Sequence, residues 1–410
     1  MNLAKSDAKI GRLITAETRR QKESIELIPS ENNVSPAVLQ AMGSVLTNKY
    51  AEGYPGKRYY GGNEVIDQVE NLAIERAKKL FKAEHVNVQP YSGTPANFAI
   101  YLAFLKFGDT VLGLELTQGG HLTHGAAVSF SGQAFDFIPY GVYRNSGEIN
   151  YNGIYRLCLQ HKPKMIVAGA SAYARKINFK KIAEIAKKCG AYTFADISHI
   201  AGLVAAGQHS NPVPYFDVVM TTTHKTLRGP RGAIIMCKDK YAKIIDKTVF
   251  PGFQGGPHEN TIAAIAVALK EASSSKFKYY AKQIIKNAKA LARELQKHDF
   301  KIVGNGTENH LFLVHLKNKN ITGREAEDLL GRVGIVVNRN TVPSETSSPM
   351  NPSGIRMGTP LITTRGMKER DMAKIANWIN ETIEHRNHEN ELERIAKEVR
   401  AFAKKWPLFR

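Results

Sequence analysis

The chain has 410 residues, 43% of them hydrophobic, and 57 lysines and arginines against 37 aspartates and glutamates give it a formal net charge of +20. That length and apolar content suit one large α/β unit or two packed domains with a sizeable core. The N-terminal residues carry Lys5, Arg12, Arg19 and Arg20 with no apolar run of signal-peptide length, and no stretch reaches the roughly eighteen apolar residues of a membrane span, so the expectation is a soluble, unexported, cytoplasmic protein. Cys158, Cys189 and Cys237 are too widely spaced for a disulfide framework or a metal pair, in keeping with a reducing compartment. The positive charge by itself suits an anionic partner such as nucleic acid. Its densest regions, Lys276 to Lys301 and His385 to Arg410, space their charges as solvated helix faces do, which favours a lysine-biased composition over a nucleic-acid site.

Leu3 to Lys22 reads as a polar helical arm, followed by the extended piece Ile25 to Asn32, which ends in Ser30, Glu31 and Asn32. A helix over Pro36 to Leu46 is predicted, with Ser35 as N-cap and Pro36 in its first position. Asn48 to Asn63 (N-K-Y-A-E-G-Y-P-G-K-R-Y-Y-G-G-N) can be neither helix nor central strand, and its tyrosines are too many for an ordinary solvent loop. It is a candidate site loop bearing Glu52, and equally a candidate subunit contact, since sites often form where subunits meet.

Val65, Val69, Leu72, Ala73 and Leu80 recur at helical intervals over Glu64 to Phe81, and a short strand H-V-N-V-Q-P follows. In S-G-T-P-A-N (Ser92 to Asn97) the strand ends, small hydroxyl residues turn the chain, and an apolar helix begins. Either this is simple capping, or the free N–H groups, helix dipole and hydroxyls cradle an anion such as phosphate. After a strand at Thr110 to Leu114, the loop Leu116 to Gly125 carries His121 and His124. With no third ligand nearby, an imidazole stacked on a planar ligand fits better than a metal.

From Ile154 to Ala205 strands and helices alternate, which predicts parallel strands with right-handed crossovers and a ligand site beyond the strands' carboxyl ends. Ser171, Asp196 and His199 fall at such ends. So does Lys225, in F-D-V-V-M-T-T-T-H-K-T-L-R-G-P-R-G (Phe216 to Gly232), where an apolar strand gives way to a turn that no regular element crosses. Burying an ammonium there is costly, and the cost lowers the lysine pKa toward the neutral amine that attacks a carbonyl. A strand follows at Arg231 to Cys237, then the loop Phe250 to Pro257 with N–H groups free for an anion, and a long helical stretch from His258 to His298. The pattern then becomes α+β. A strand lies near His310 to Leu316, a helix starts at the box Thr322-x-x-Glu325, a strand covers Gly334 to Asn338, G-I-R-M-G-T-P (Gly354 to Pro360) comes next, and two basic helices close the chain.

A carbonyl-capturing lysine, an anion cradle, a strand-end aspartate and a stacking histidine together fit pyridoxal phosphate, whose aldehyde, phosphate and pyridine nitrogen each find a partner. The segments S-E-N, N-K-Y-A-E-G-Y-P-G-K-R-Y-Y-G-G, G-G-H-L-T-H-G, A-G-A-S-A-Y, H-I-A-G-L-V-A-A-G, T-T-T-H-K-T-L-R-G-P-R-G, F-P-G-F-Q-G-G-P and G-I-R-M-G-T-P resemble those of serine hydroxymethyltransferases over nearly the whole chain.

The resemblance implies a fold-type I (aspartate aminotransferase-like) α/β architecture. A large domain over residues 1–285, including the arm, would hold a mostly parallel seven-stranded sheet, and a smaller α+β domain would cover 286–410. It implies a covalent bond from Lys225 to the cofactor, Asp196 on the pyridine nitrogen, His121 on the ring and His199 on the phenolic oxygen side. Ser92, Gly93 and Thr94 would hold the phosphate, with Gly256 from a second subunit, and Ser171 would lie nearby. Arg356 and Ser30 would take the substrate carboxylate. Glu52, with Tyr50, Tyr60 and Thr223, would serve catalysis. Leu116, Gly120, Leu122 and Asn340 would contact the pterin. The implied reaction moves the serine hydroxymethyl carbon to tetrahydrofolate, giving glycine and 5,10-methylenetetrahydrofolate, in a homodimer with shared sites. Alternatives are a folate-independent threonine aldolase and a basic nucleic-acid binder on an idle cofactor fold. The family pattern is departed from at Thr94, Pro95, Ala174, Asn178 and His315.

Overall fold

The computed structural model describes residues 3–409 apart from 344, 346 and 349. Seven short runs form the main sheet, and all but the outermost are buried on both faces, as in a parallel sheet covered by helices. They are β1 (His85–Asn87), β2 (Thr110–Leu114), β3 (Asp136–Tyr140), β4 (Met165–Gly169), β5 (Tyr192–Asp196), β6 (Val218–Thr222) and β7 (Ala233–Cys237), joined in one sheet in the order β1-β7-β6-β5-β4-β2-β3. Pairing is parallel throughout except at β7, which runs against both β6 and β1. The strand order reverses between β2 and β4, and in such sheets the crevice outside the carboxyl ends at the reversal is where ligands bind.

Strand β3 is missing from the sequence reading. It is half-exposed, its sequence D-F-I-P-Y shows no clean alternation, and Pro139 is tolerated because β3 is the outermost strand. Other boundaries move for local reasons. The arm breaks at Asp7, whose carboxylate accepts from the N–H groups of Lys9 and Ile10 (3.0 Å each) and starts helix α1 (Ala8–Glu23). The helix expected to reach Leu46 stops at Met42, capped by Gly43, and a 3-10 turn takes over at Val45–Asn48. Helix α2 (Glu64–Phe81) has the predicted ends. The stretch from His258 to His298 is two helices, α5 (Glu259–Ala272) and α6 (Ser275–Lys297) once α3 (Gly93–Phe104) and α4 (Phe179–Cys189) are counted, and Ser274 restarts the chain by accepting from Phe277 N–H.

A second sheet, β8 (Lys301–Ile302), β9 (Leu311–His315), β10 (Asn338–Asn340) and β11 (Gly354–Gly358), is antiparallel in the order β8-β9-β11-β10. The strand read as Gly334 to Asn338 divides between Ile335–Val336, which pairs parallel with Ile25–Glu26, and β10. Ile25 and Leu27 therefore join the core of the C-terminal part, beside Phe312, Val314, Ile355 and Met357. Helix α6 bridges the two cores. Phe277, Tyr280, Ala281 and Ile284 pack with the seven-stranded sheet, and Ala290, Leu291 and Leu295 with the second one. Helices α7 (Glu369–Glu384) and α8 (Glu389–Ala403) close the fold.

Arg365 is a buried charge in this framework, fully shielded from solvent. Its terminal nitrogens donate to the carbonyls of Ser24 (2.7 Å), Lys22 (3.0 Å), Gln21 (3.2 Å), Ala403 (2.6 Å) and Trp406 (3.0 Å). Those carbonyls lie in the last turn and cap of α1, at the last residue of α8 and, for Trp406, just beyond it, where a cation meets unsatisfied acceptors and the negative end of the helix dipoles. Arg365→Leu strands these carbonyls, and we expect a loss of about 3 kcal/mol or more in urea unfolding. An unchanged midpoint would show that water replaces the guanidinium without cost.

Candidate active site

Lys225 lies just past β6, in a turn locked by its own backbone. Thr223 N–H donates to Gly232 O (3.0 Å), Gly229 N–H to Thr223 O (2.7 Å), and Thr223 Oγ1 to Pro230 O (2.6 Å). The hydroxyl of Thr223 thus holds the R-G-P-R-G turn, and it is Thr222 Oγ1 that accepts from Lys225 Nζ at 3.0 Å. The Lys225 carbonyl accepts from Asn32 Nδ2 (2.9 Å) and from the N–H of Arg228 (3.1 Å), whose φ of 62° is the left-handed bend that closes the turn. Burial pushes the ammonium from 10.5 down to about 8, with the cations Arg356 and Arg231 acting in the same direction and Asp196 against it.

Asp196 ends β5. Its Oδ1 accepts from the Ser198 N–H (3.0 Å) and hydroxyl (2.6 Å), while Oδ2 accepts from Asn97 Nδ2 (3.1 Å) and lies 3.2 Å from His124 Nε2. Burial alone would raise this carboxyl, but His124, His121 and Ser198 outweigh it and hold Asp196 well below the usual carboxylate range. Helix α3 points its N-terminus at the same place. The Ser92 hydroxyl makes no capping bond, and a Cβ on Gly93 would come within 2.6 Å of Thr222 Cγ2. Only glycine lets the helix start this close to β6, with its first N–H groups lacking intrahelical acceptors. A phosphate-sized anion fits that cradle.

Of the residues singled out in the sequence, Ser92, Gly93, Thr94, His121, Ser171, Asp196, His199 and Lys225 surround one cavity of about 140 Å³. His121 rests its Nδ1 on Thr123, from N–H at 3.1 Å, and burial pushes its imidazole down to about 4, so a neutral ring faces the cavity. Arg356 arrives from β11 in the other core. It donates from Nε to Asn338 Oδ1 (3.1 Å) and from Nη1 to the Ser171 carbonyl, and burial lowers it to about 10.

The remaining candidates do not line this cavity. Tyr50 and Tyr60 meet edge to face at 5.0 Å, both about half exposed, and the Glu52 charge raises the Tyr50 hydroxyl. Gly255 and Gly256 of the same chain lie against Glu52 and Tyr50. Leu116 and Leu122 are exposed on the loop after β2, and Gly120 sits where a Cβ would be 2.1 Å from Leu114 O. Asn340 ends β10 with its amide on Thr341 O (2.7 Å), and Ser30 lies in the turn closed by Glu31 N–H on Ile28 O (3.1 Å).

Several working residues escaped the sequence reading. Asn97, one turn into α3, and His124, considered there as a metal partner of His121, both hold Asp196. Asn32 holds the Lys225 backbone. Arg58 fastens the aromatic loop by pairing with Asp67 (2.9 Å) and Glu70 (2.7 Å) and donating to the carbonyls of Ala51 and Gly53. At the departures from the family pattern, Asn178 caps α4 by accepting from Lys181 N–H (3.0 Å), while Ala174 needs only its carbonyl, which takes Glu308 N–H (2.8 Å).

A seven-stranded sheet with one reversed strand, a lysine and an aspartate on its carboxyl rim, and a helix N-terminus aimed between them define a fold-type I pyridoxal-phosphate enzyme. The sequence model of serine hydroxymethyltransferase matches residues 3–379, and the chain belongs to that family. Its activity is the transfer of the serine hydroxymethyl carbon to tetrahydrofolate with pyridoxal phosphate as cofactor, which yields glycine and 5,10-methylenetetrahydrofolate. Among the described residues no helix is long and apolar enough to cross a membrane.

The lowered pKa of Lys225 gives a pH signature in the cofactor-free protein. Depression favours the neutral amine, so the reactive form dominates above about 8 instead of above 10.5. Trapping of a small aldehyde with cyanoborohydride, mapped to Lys225 by peptide mass, should rise with pH to half its maximum near pH 8. A Lys225 profile rising in step with the surface lysines would refute the burial argument.

Proposed function

We propose that the eight cavity residues hold the cofactor and that a second subunit completes the site. The α3 N-terminus with Ser92, Gly93 and Thr94 binds the phosphate, Asp196 the pyridine nitrogen, Lys225 the carbonyl carbon, and His121 stacks on the ring. The cofactor, when bound, supplies an electron-withdrawing ring that weakens bonds to the α-carbon of the amino acid. Asp196 supports this use because it is buried, ionised and held by Asn97, His124 and Ser198, so it keeps a facing nitrogen protonated. Arg356 clamps the amino-acid carboxylate. With Nε anchored on Asn338 and one Nη1 hydrogen on the Ser171 carbonyl, Nη2 and the second Nη1 hydrogen are left to offer a fork to it. Ser30 lies beside that carboxylate. Leu116, Gly120, Leu122 and Asn340 form the pterin side, and the protein works in the cytoplasm. The chain divides near residue 285, within the helix that joins the two cores.

The observation that carries the shared-site reading is that the Glu52 loop does not line the Lys225 cavity of its own chain. Tyr50, Glu52 and Tyr60 form an ordered, fastened cluster, yet none lines the cavity of its own chain. Packed against Gly255 and Gly256, they present a half-exposed aromatic face suited to a second copy. In the homodimer, Glu52 of one subunit exchanges a proton at the serine hydroxyl held by the other, with Tyr50 and Tyr60 orienting it, while Gly256 joins the partner's phosphate site.

Two experiments test this. Arg356→Lys keeps the charge but loses the fork, so serine affinity should fall by about 2 kcal/mol or more. Unchanged affinity would remove Arg356 from the carboxylate site. In the second, Lys225→Gln and Glu52→Gln chains, each inactive alone, are unfolded and refolded together in equal amounts. About half the dimers are then mixed, each with one doubly mutated and one intact site, and activity should return to roughly a quarter of the wild-type level. Verified mixed dimers with no recovery would place both residues in the same chain's site.

A further inference from the structure

Behind the cavity, a second histidine meets His199 from β9's side of the molecule. His199 Nδ1 lies 3.2 Å from His310 Nε2, with the rings tilted by 33°. Both residues are buried. Burial first, then the charges of Lys225 and Arg356, keep His199 neutral. Burial with the same two cations and His209 pushes His310 down to about 3. A contact between two neutral imidazoles contains one proton, and its owner decides which nitrogen of His199 faces the cavity as a donor.

We infer that His310 is a positioning residue that donates from Nε2 to His199 Nδ1, and so fixes His199 as the tautomer that carries its proton on Nε2, facing the cofactor cavity. Three observations support this direction. First, His310 Nδ1 is buried without a protein partner. If His310 gives its Nε2 proton to the contact, that atom is only an unfilled acceptor, whereas the opposite tautomer would strand a buried N–H, which proteins tolerate less well. Second, a cavity of about 10 Å³ touches both His310 and Arg175, whose Nε–H is a buried donor without a protein partner. That volume is about what one water needs. A water held there would accept the Arg175 proton and keep both of its own hydrogens to give, one of which a lone pair on His310 Nδ1 would take. Third, His199 Nε2 is the ring nitrogen left for the cavity, and a donor there suits an anionic phenolic oxygen where a lone pair would repel it.

The inference rests on the proposed contact of His199 with the cofactor for its consequence and for the third support, whereas the first two supports are independent of the cofactor. Cofactor-free protein labelled with 15N-histidine, read by long-range 1H–15N correlation and assigned with His199→Gln, should show His199 protonated at Nε2 and bare at Nδ1. His310→Gln, whose amide nitrogen can replace Nε2 as donor, should keep that pattern, and His310→Leu should mix the two tautomers. Cofactor affinity, followed by fluorescence titration, should fall about tenfold in His310→Leu and recover in His310→Gln to within about threefold of wild type. A wild-type His199 protonated at Nδ1 would overturn the inference whether or not the variants fold, and so would an unmixed tautomer in a folded His310→Leu protein. A tautomer that mixes as expected while cofactor affinity stays unchanged would uphold His310 and count against the His199 contact instead.

Discussion

Holding one partly buried amine at the rim of a cavity organises much of the molecule. Lys225 has little conformational freedom because the turn after β6 is tied by Thr223 to Gly232 and Pro230, and by Asn32 and Arg228 to the lysine carbonyl. Its burial among other cations weakens the ammonium, and the ionised Asp196 across the rim keeps the pocket from becoming too positive to hold it at all. The same crowding of Lys225, Arg356 and Arg231 leaves an excess of positive charge that suits a ligand carrying both a phosphate and a carboxylate. Electrostatics and fold agree here, since parallel strands bring these residues to one end of the sheet and the N-terminus of α3 adds its own positive end.

The rim draws on both cores. Arg356 is on β11, His310 just before β9, and each reaches residues at the strand ends of the large sheet: Ser171 for one, His199 for the other. The two cores are joined by α6, while the strand pairing of Ile25–Glu26 with Ile335–Val336 and the bonds of Arg365 to the ends of α1 and α8 fasten the N-terminal segment to the second core. A small shift of one core would move the proposed carboxylate clamp relative to Lys225, and misplacement on the ångström scale is costly to catalysis.

The aromatic loop shows how a segment without regular structure becomes rigid. Arg58 is pinned by Asp67 and Glu70 and returns bonds to the loop carbonyls, and Gly53 adopts a φ of 96° where a Cβ would meet Lys57 O at 2.3 Å. The loop is therefore shaped before any partner arrives. Under the shared-site reading, little ordering entropy remains to be lost when Glu52 meets the other subunit's serine.

Local chemistry was legible in the sequence: the turn after Lys225, the Ser-Gly-Thr helix start, the capping box at Thr322 and Glu325, and the strand-end positions of Ser171 and Asp196. Each depends on neighbours close along the chain, where residue type dictates backbone shape directly. The family motifs made the class of enzyme readable as well. What the sequence could not supply were contacts between distant segments, such as Asn97 and His124 on Asp196, Asn32 on Lys225, Arg365 on two helix ends, and His310 on His199. Nor did it reveal β3, whose half-exposed edge position asks for no alternation. Which hydroxyl meets Lys225 was likewise settled by packing. Thr222 and Thr223 are adjacent and alike in sequence, but successive side chains at the end of a strand point to opposite faces, so one reaches the lysine and the other ties the turn.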